Sequence, residues 1–273
     1  MSNTIGIQGI AGSFHHAVAQ SFFGEDVPVT CCDSFPVLTK QLINNTCSHA
    51  VMAIENSIAG AILPNYALID AYSLNIIGEQ YLPIHHNLMV LPGQDINAIK
   101  EVHSHPMALL QCRKFFSDYP HIKLVEDSDT AAVAKRIATH REEGVGAIAS
   151  VVASQLYGLT IIAPQIQTIQ DNATRFFILS TTSNTQKEID KASLRFTTDH
   201  KRGSLATVLN VLSDCELNLT KIQSMPIIET PWKYAFFVDV TFQEYAFFDK
   251  AKQLLTIMAT DFKVLGEYKN ERL

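Results

Sequence analysis

No apolar run in this chain approaches the ~20 residues that a bilayer-spanning helix requires. The amino terminus runs straight into the apolar residues 5–10, with no basic region or small-residue cleavage site. Neither a membrane protein nor a secreted one is expected, and the cytoplasm is the expected compartment. Positive charge is also scarce: 21 Lys and Arg face 27 Asp and Glu, a net charge of −6, with no basic run. That balance leaves no electrostatic footprint for nucleic acid, so any anion must be held by local charge. Cys31, Cys32, Cys47, Cys112 and Cys215 are odd in number and lack C-x-x-C spacing. They are expected to be reduced thiols rather than a disulfide framework or a thiolate metal site. The ten histidines are scattered, and the adjacent His85 and His86, if on a strand, point to opposite faces. No metal and no cofactor are expected.

What the chain does have is length and alternation. Its 273 residues, 47% hydrophobic and 18% charged, are enough for two globular cores. Short apolar runs at 4–9, 27–32 and 50–54 alternate with amphipathic stretches at 13–23, 35–45 and 62–72. This is the β-α-β-α pattern of a largely parallel sheet covered by helices. Two strand-like runs, 76–82 and 84–91, are joined through Pro83 as a crossover. Alternation then resumes, with strands at 101–104, 123–126, 145–149, 160–163 and 175–179. The fold class is therefore α/β: a two-lobed α/β clamp, similar to periplasmic binding proteins, with its ligand in the cleft. The first domain spans 1–183, with one lobe at about 1–82 plus 165–183 and the other at about 83–164. Residues 181–191 are polar almost throughout, as a linker is. Beyond them, 192–273 reads strand (192–197), helix (204–212), strands (219–228, 234–242), helix (245–259) and strand (262–266). That βαββαβ order specifies a ferredoxin-like sandwich and carries no function by itself.

Several polar groups fall where such folds bind ligands. Gly6, Gly9 and Gly12 are spaced G-x-x-G-x-x-G, which is not the dinucleotide spacing. The turn leads to a helix capped by Ser13 and either offers free N–H groups to an anion or only a tight turn. Glu55-Asn56-Ser57 ends a buried strand, at the edge where open α/β sheets bind ligands. Ser128 is placed to cap the helix after Glu126-Asp127. Thr174 and Arg175 are adjacent on a strand, so they face opposite ways, and Thr174 is the one expected to touch a ligand.

These segments carry a family resemblance. Ile54-Glu55-Asn56-Ser57-Ile58-Ala59-Gly60 resembles the prephenate dehydratase signature I-E-N-S-x-x-G. Ser104-His105-Pro106-Met107-Ala108-Leu109-Leu110-Gln111-Cys112 is similar to its S-H-P-x-A-x-x-Q-C segment. Thr174-Arg175-Phe176 matches its T-R-F, and Tyr157-Gly158-Leu159 its Y-G-L, all in family order. At the first motif the family has G-P-x-G-T-F-S, where this chain has Gly9-Ile10-Ala11-Gly12-Ser13-Phe14-His15. The resemblance implies conversion of prephenate to phenylpyruvate in phenylalanine biosynthesis, through loss of hydroxide and carbon dioxide. Thr174 would donate a hydrogen bond to the leaving hydroxyl, with Glu55, Asn56 and Gln111 as its catalytic companions. Ser13, Ser57, Ser104, Ser128, Arg175 and Phe176 would bind substrate, Arg175 by gripping a carboxylate and Phe176 as an apolar wall. His105 is a candidate general acid, but its place beside Pro106 at a helix start favours a structural role.

Lys201-Arg202-Gly203-Ser204-Leu205 and residues 218–226 resemble the two motifs of an ACT domain, whose usual forms are G-A-L and E-S-R-P. The resemblance implies phenylalanine as an allosteric ligand at Gly203, Ser204, Leu205, Asn218, Gln223, Ser224 and Pro226. Gln223 and Met225 replace the charged pair of that motif. A homodimer or homotetramer is expected. Competing possibilities are an arogenate dehydratase and a non-catalytic sensor of small anions.

Overall fold

The computed structural model describes residues 4–183, 188–199, 201–227 and 230–271. The middle of the expected linker, residues 184–187, and the end of the expected strand at Ile228 lie outside them. In chain order the first elements are β1 (Ile5–Gln8), α1 (Phe14–Phe23), β2 (Val29–Cys32), α2 (Phe35–Ile43), β3 (His49–Asn56), β4 (Gly60–Ala61), α3 (Leu63–Ala71) and β5 (Asn75–Pro83). There follow β6 (Asn87–Val90), β7 (Glu101–Ser104), α4 (Pro106–Phe116), β8 (Lys123–Glu126), α5 (Thr130–His140), β9 (Val145–Ala149), α6 (Val151–Tyr157), β10 (Thr160–Ala163) and β11 (Ala173–Ser180). The last are β12 (Lys191–Thr197), α7 (Ser204–Asp214), β13 (Asn218–Pro226), β14 (Tyr234–Thr241), α8 (Tyr245–Met258) and β15 (Thr260–Tyr268). Packing divides the chain into Met1–Gly60 with Tyr81–Phe176, and Ala61–Gln80 with Phe177–Leu273, so the division falls inside β4, β5 and β11.

The first unit holds two sheets. In one, β1 lies between β2 and β3, parallel to both. In the other the order is β10-β6-β9-β7-β8, with β7 parallel to β8 and β9, and β6 antiparallel to β9 and β10. β6 is buried on both faces, which is why its sequence is a continuous apolar run. Leu88 and Val90 pack with Ala108, Leu109 and Cys112 of α4, while Met89 and Leu91 meet Ala134, Ile137 and Ala153 on the opposite face. Burial pushes the Cys112 thiol up to about 12, keeping it an unreactive apolar group.

The turn before α1 is held tightly. Gly12 has φ +91°, and a Cβ there would come 3.1 Å from Ala153 Cα. Ser150 Oγ donates to Gly12 O at 2.6 Å and Tyr157 Oη to Ala11 O at 2.5 Å. Ser13 caps α1, accepting from His16 N. The expected free N–H groups of this turn are not found at its glycines. Gly9 N–H donates to Cys32 O, and Gly12 N–H to His16 Nδ1 at 2.9 Å. His15, the second residue of the helix, accepts from Ala53 N with Nε2 at 3.3 Å and packs edge-on against Phe176 at 5.0 Å.

The second unit contains the βαββαβ order, with antiparallel neighbours β13-β14-β12-β15 and then β5 alongside β15. β5 and β15 cross so closely that a Cβ at Gly266 would overlap the Ile76 carbonyl. Ala192, Leu194, Phe196, Val238 and Val240 form the sheet's inner face under Val208 and Leu212 of α7 and Phe248, Ala251 and Leu255 of α8. A buried ion pair ties the early segment to this sheet. Lys191 Nζ lies 2.7 and 3.0 Å from the two oxygens of Glu79 and donates to Asn270 Oδ1 at 3.3 Å. Glu271 N–H donates to the same carboxylate.

Two outcomes follow from these buried groups. Lys191→Met leaves the Glu79 carboxylate buried without its cation and should cost about 3–5 kcal/mol in urea unfolding, part of which Glu79→Gln restores in the double variant. A loss under about 1 kcal/mol would show that the pair is dispensable. His15 is the second case, since burial pushes its imidazole down to about 3 from 6.5. Above the unfolded value both states are neutral and stability is full. As pH falls below it, the unfolded chain takes up a proton that the folded chain refuses. This one group then removes about 1.4 kcal/mol of stability per pH unit until the folded value is reached. His15→Gln, which keeps an acceptor near Ala53 N–H, should flatten the fall in stability between about pH 6 and 4 by that slope, and an unchanged slope refutes the assignment.

Candidate active site

Strand β3 delivers Glu55 and Asn56 to its carboxyl end, half-buried, and Ser57 follows on the exposed turn. Asn56 closes that turn on itself, its Oδ1 accepting from Ile58 N at 3.0 Å and Ala59 N at 2.9 Å. Its amide reaches the start of β11. Asn56 Nδ2 donates to Asn172 Oδ1 at 2.7 Å, Thr174 Oγ1 at 2.9 Å and Ala173 O at 3.3 Å. Backbone pairing fixes the same junction, with Ser57 N donating to Ala173 O, and Ala173 N to Ser57 Oγ.

The network continues into the other sheet of this unit. Asn172 Nδ2 donates to Gln111 Oε1 at 2.9 Å, and His86 Nε2 lies 3.0 Å from that oxygen. Gln111 stands on α4, which begins at Pro106 and is capped by His105, whose Nδ1 accepts from Met107 N. His105 is thus a cap, as its sequence context predicts. The main chain supports the arrangement, with Ile84 N donating to Asn172 O at 2.7 Å and Thr168 N to Gln111 O at 2.8 Å.

Alternation along β11 separates Thr174 from Arg175. Thr174 meets Asn56, and Phe176, two residues on, lies on His15 in the core and is 1% exposed. Arg175 is 3% exposed, and its guanidinium carbon lies 5.8 Å from the Tyr81 ring centroid. Asn56 donates to Thr174 Oγ1, which leaves the threonine's own proton to be donated elsewhere. Likewise Gln111 Oε1 accepts twice, so its amino group is turned away from those two partners.

Asn56, Ser57, Gln111 and Thr174 therefore gather around one junction, with Glu55 the residue before Asn56 on β3. Ser13 is nine-tenths buried at the cap of α1, on the Gly9 turn, where a Cβ on Gly9 would lie 3.2 Å from Asp129 Oδ2. Ser104 is fully buried and donates to Ile148 O at 2.8 Å, so its proton is committed to the sheet. Ser128 is exposed and turned onto Asp127 Oδ1. The cap of α5, which begins at Thr130, is Asp129, accepting from Ala132 N, not Ser128 as the sequence led us to expect, because the capping residue is the one directly before the helix. Asn172 and His86 are members of the network that sequence reasoning did not single out. Asn172 begins the Asn-Ala-Thr-Arg-Phe segment, but nothing marked its amide as a bridge. His86 was placed on a strand, whereas β6 begins only at Asn87. Among the described residues no cluster of His, Cys, Asp or Glu could hold a metal, and no helix is long and apolar enough to cross a membrane.

A model of the prephenate dehydratase family matches residues 5–184. A bifunctional chorismate mutase/prephenate dehydratase of Enterobacter agglomerans is 33% identical over 98% of this chain and 71% of its own length. Arogenate dehydratase 2 of Petunia hybrida is also 33% identical, over 98% of this chain and 72% of its own. Among solved structures, the quorum-quenching acylase GqqA superposes with a TM-score of 0.88 at 24% identity, covering 98% of both chains. The prephenate dehydratase of Arthrobacter aurescens in complex with L-Phe gives 0.84 at 24%, covering 98% of this chain and 90% of its own. Likeness at that identity shows the fold alone, and the fold is that of the two-lobed α/β clamp followed by βαββαβ expected from the sequence. The match over residues 5–184 and the relatives at 33% identity go further, and the chain belongs to the prephenate dehydratase family.

Proposed function

We propose that this chain converts prephenate to phenylpyruvate, carbon dioxide and water, with Thr174 as the donor to the departing hydroxyl. The electron pair of the breaking C–carboxylate bond flows into the ring and expels the ring hydroxyl, which must collect a proton to leave as water. The observation that carries this reading is the hydrogen bond from Asn56 Nδ2 to Thr174 Oγ1 at 2.9 Å. An accepted hydrogen bond polarises the threonine O–H, strengthening it as a donor, and directs its proton away from Asn56. A threonine hydroxyl is too weak an acid to give up its proton outright, so the full proton arrives through water or Glu55. The Gln111 amino group supplies a neutral donor to the substrate's oxygens, and the Ser57 hydroxyl, 3.4 Å from Asp171 O and 3.5 Å from Asn172 Oδ1, exchanges these long contacts for one to the substrate. Arg175, on the opposite side of β11, acts through the strand or through its own carboxylate contact. Ser13, Ser128 and the backbone near them form the remaining anion-facing rim. The catalytic part corresponds to 1–183, in the lobes described above.

Residues 192–273 form, in our reading, an ACT domain that binds phenylalanine. Gly203, with φ +84°, leads into α7 at Ser204 and Leu205, and Gln223, Ser224 and Pro226 lie on the second half of β13. Asn218 sits at the other end, at the start of β13, after α7 finishes at Asp214. An eleven-residue helix is about 16 Å long, so Gly203 and Asn218 of one copy cannot both close on one amino acid. β13 is the outermost strand of its sheet, with exposed residues along its length. Antiparallel pairing of β13 with that of a second copy would bring the Gly203 end of one to the Asn218 end of the other. A homodimer, or a homotetramer built from it, is the assembly this supports, in the cytoplasm. Arogenate, which carries an amino group in place of the side-chain ketone, is the competing substrate.

Thr174→Ala should lower kcat for phenylpyruvate formation by more than about tenfold with the thermal transition unchanged. A near-normal kcat removes Thr174 from the chemistry, and faster turnover of arogenate than of prephenate by the unaltered chain would reassign the substrate. Titrating the full chain with phenylalanine should release heat and inhibit turnover. Absence of both leaves 192–273 as an assembly device.

A further inference from the structure

His86 is 4% exposed and held on several sides. Its main-chain N–H donates to Gln167 Oε1 at 2.9 Å, and Phe14 meets its ring edge-on at 5.9 Å. Its Nε2 lies 3.0 Å from Gln111 Oε1. A carbonyl oxygen only accepts, so the imidazole proton sits on Nε2. Nδ1 is buried and has no partner. A proton on Nδ1 would therefore be an orphaned buried donor, and burial pushes the ring down to about 4, against the opposing bond to Gln111. Gln111 Oε1 also accepts from Asn172 Nδ2. Turning the Gln111 carboxamide over would set its N–H groups against two donors, so His86 and Asn172 together specify which end of the amide faces them.

We infer that His86 is a positioning residue for the dehydratase reaction: as a neutral, Nε2-protonated imidazole it locks the Gln111 carboxamide with its amino group free for the substrate. The inference rests on the reading of Gln111 as a substrate-binding donor. His86 touches neither substrate nor reacting atoms and acts only through Gln111. Asn172 completes the lock from β11, tying it to the Asn56–Thr174 pair.

The test compares two substitutions that place an amide N–H differently. His86→Gln sets it near the former Nε2 and His86→Asn near the former Nδ1. With prephenate as substrate, H86N should lose about tenfold or more in kcat with KM changed less than about threefold, whereas H86Q should recover most of that loss. In a Gln111→Ala background H86N should cost nothing further, because its effect passes through the missing amide. Equal losses in H86N and H86Q, or full additivity with Q111A, overturn the proposal. Nitrogen-15 NMR of histidine-labelled unaltered chain gives a readout independent of turnover and of variant folding. Protonated Nε2 with bare Nδ1 at neutral pH supports the lock, and the opposite tautomer overturns it. Failure of the unaltered chain to consume prephenate would instead refute the parent function, whatever the tautomer.

Discussion

The Asn56 carboxamide is the bond on which the candidate site depends. Its oxygen closes the turn after β3, while its nitrogen holds both the Asn172 side chain and the Thr174 hydroxyl at the start of β11. One planar group thus joins two strands that are 116 residues apart in sequence. No other uncharged side chain combines two donors with a two-lone-pair acceptor in that compass except glutamine, whose extra methylene would move the amide out of reach of its own turn. Aspartate would accept from the turn equally well but would face the Asn172 and Thr174 oxygens with oxygens of its own. Asparagine is therefore required here by geometry on both of its sides, which accounts for the Glu-Asn-Ser order standing at the strand end.

Much of this architecture was legible in the chain. Alternating apolar runs predicted β1 to β3 with their helices, and the βαββαβ order of the last third emerged with bounds shifted by only a few residues, because hydrophobic period and burial coincide there. The polar clusters at 55–57, at Gln111 and at 174–175 were also visible, and strand alternation already separated Thr174 from Arg175. What stayed hidden was side-chain partnership across long separations. Nothing local in Gly9-Ile10-Ala11-Gly12 reveals that His16 folds back on Gly12 N–H, since a histidine on a helix reads as a surface or core residue until the turn before it is known. His86 escaped for the related reason that the strand expected from residue 84 begins only at Asn87, so His86 lies before β6 and outside its alternation.

Fold alone does not decide the chemistry. A quorum-quenching acylase shares this architecture over nearly the whole chain, so the clamp and the βαββαβ part are compatible with more than one reaction. The distinction must lie in the groups at the junction of β3, β11 and α4. There, the described contacts provide a hydroxyl with its proton released by Asn56 and a carboxamide with its amino end released by His86 and Asn172. They show no histidine bonded to a hydroxyl or thiol nucleophile at this junction. His86 is bonded to an amide oxygen, and Ser57 is bonded to backbone and to Asn172. A set of oriented donors suits departure of an oxygen leaving group better than attack on a carbonyl.

Two buried histidines near the site carry no charge, and that has a physical rationale. Burial lowers the affinity of His15 and His86 for protons, to about 3 and about 4, so both stay neutral at any ordinary pH. A cation beside the reacting carboxylate would stabilise the ground state that decarboxylation must leave. Neutral amides and hydroxyls bind the oxygens of a dianion without neutralising the carboxylate whose electrons the ring must receive. The fixed positive charge of Arg175 lies on the other face of β11 from Thr174, against Tyr81. The burial of two histidines and the alternation of one strand thus leave neutral amides and hydroxyls gathered on the Thr174 side of β11.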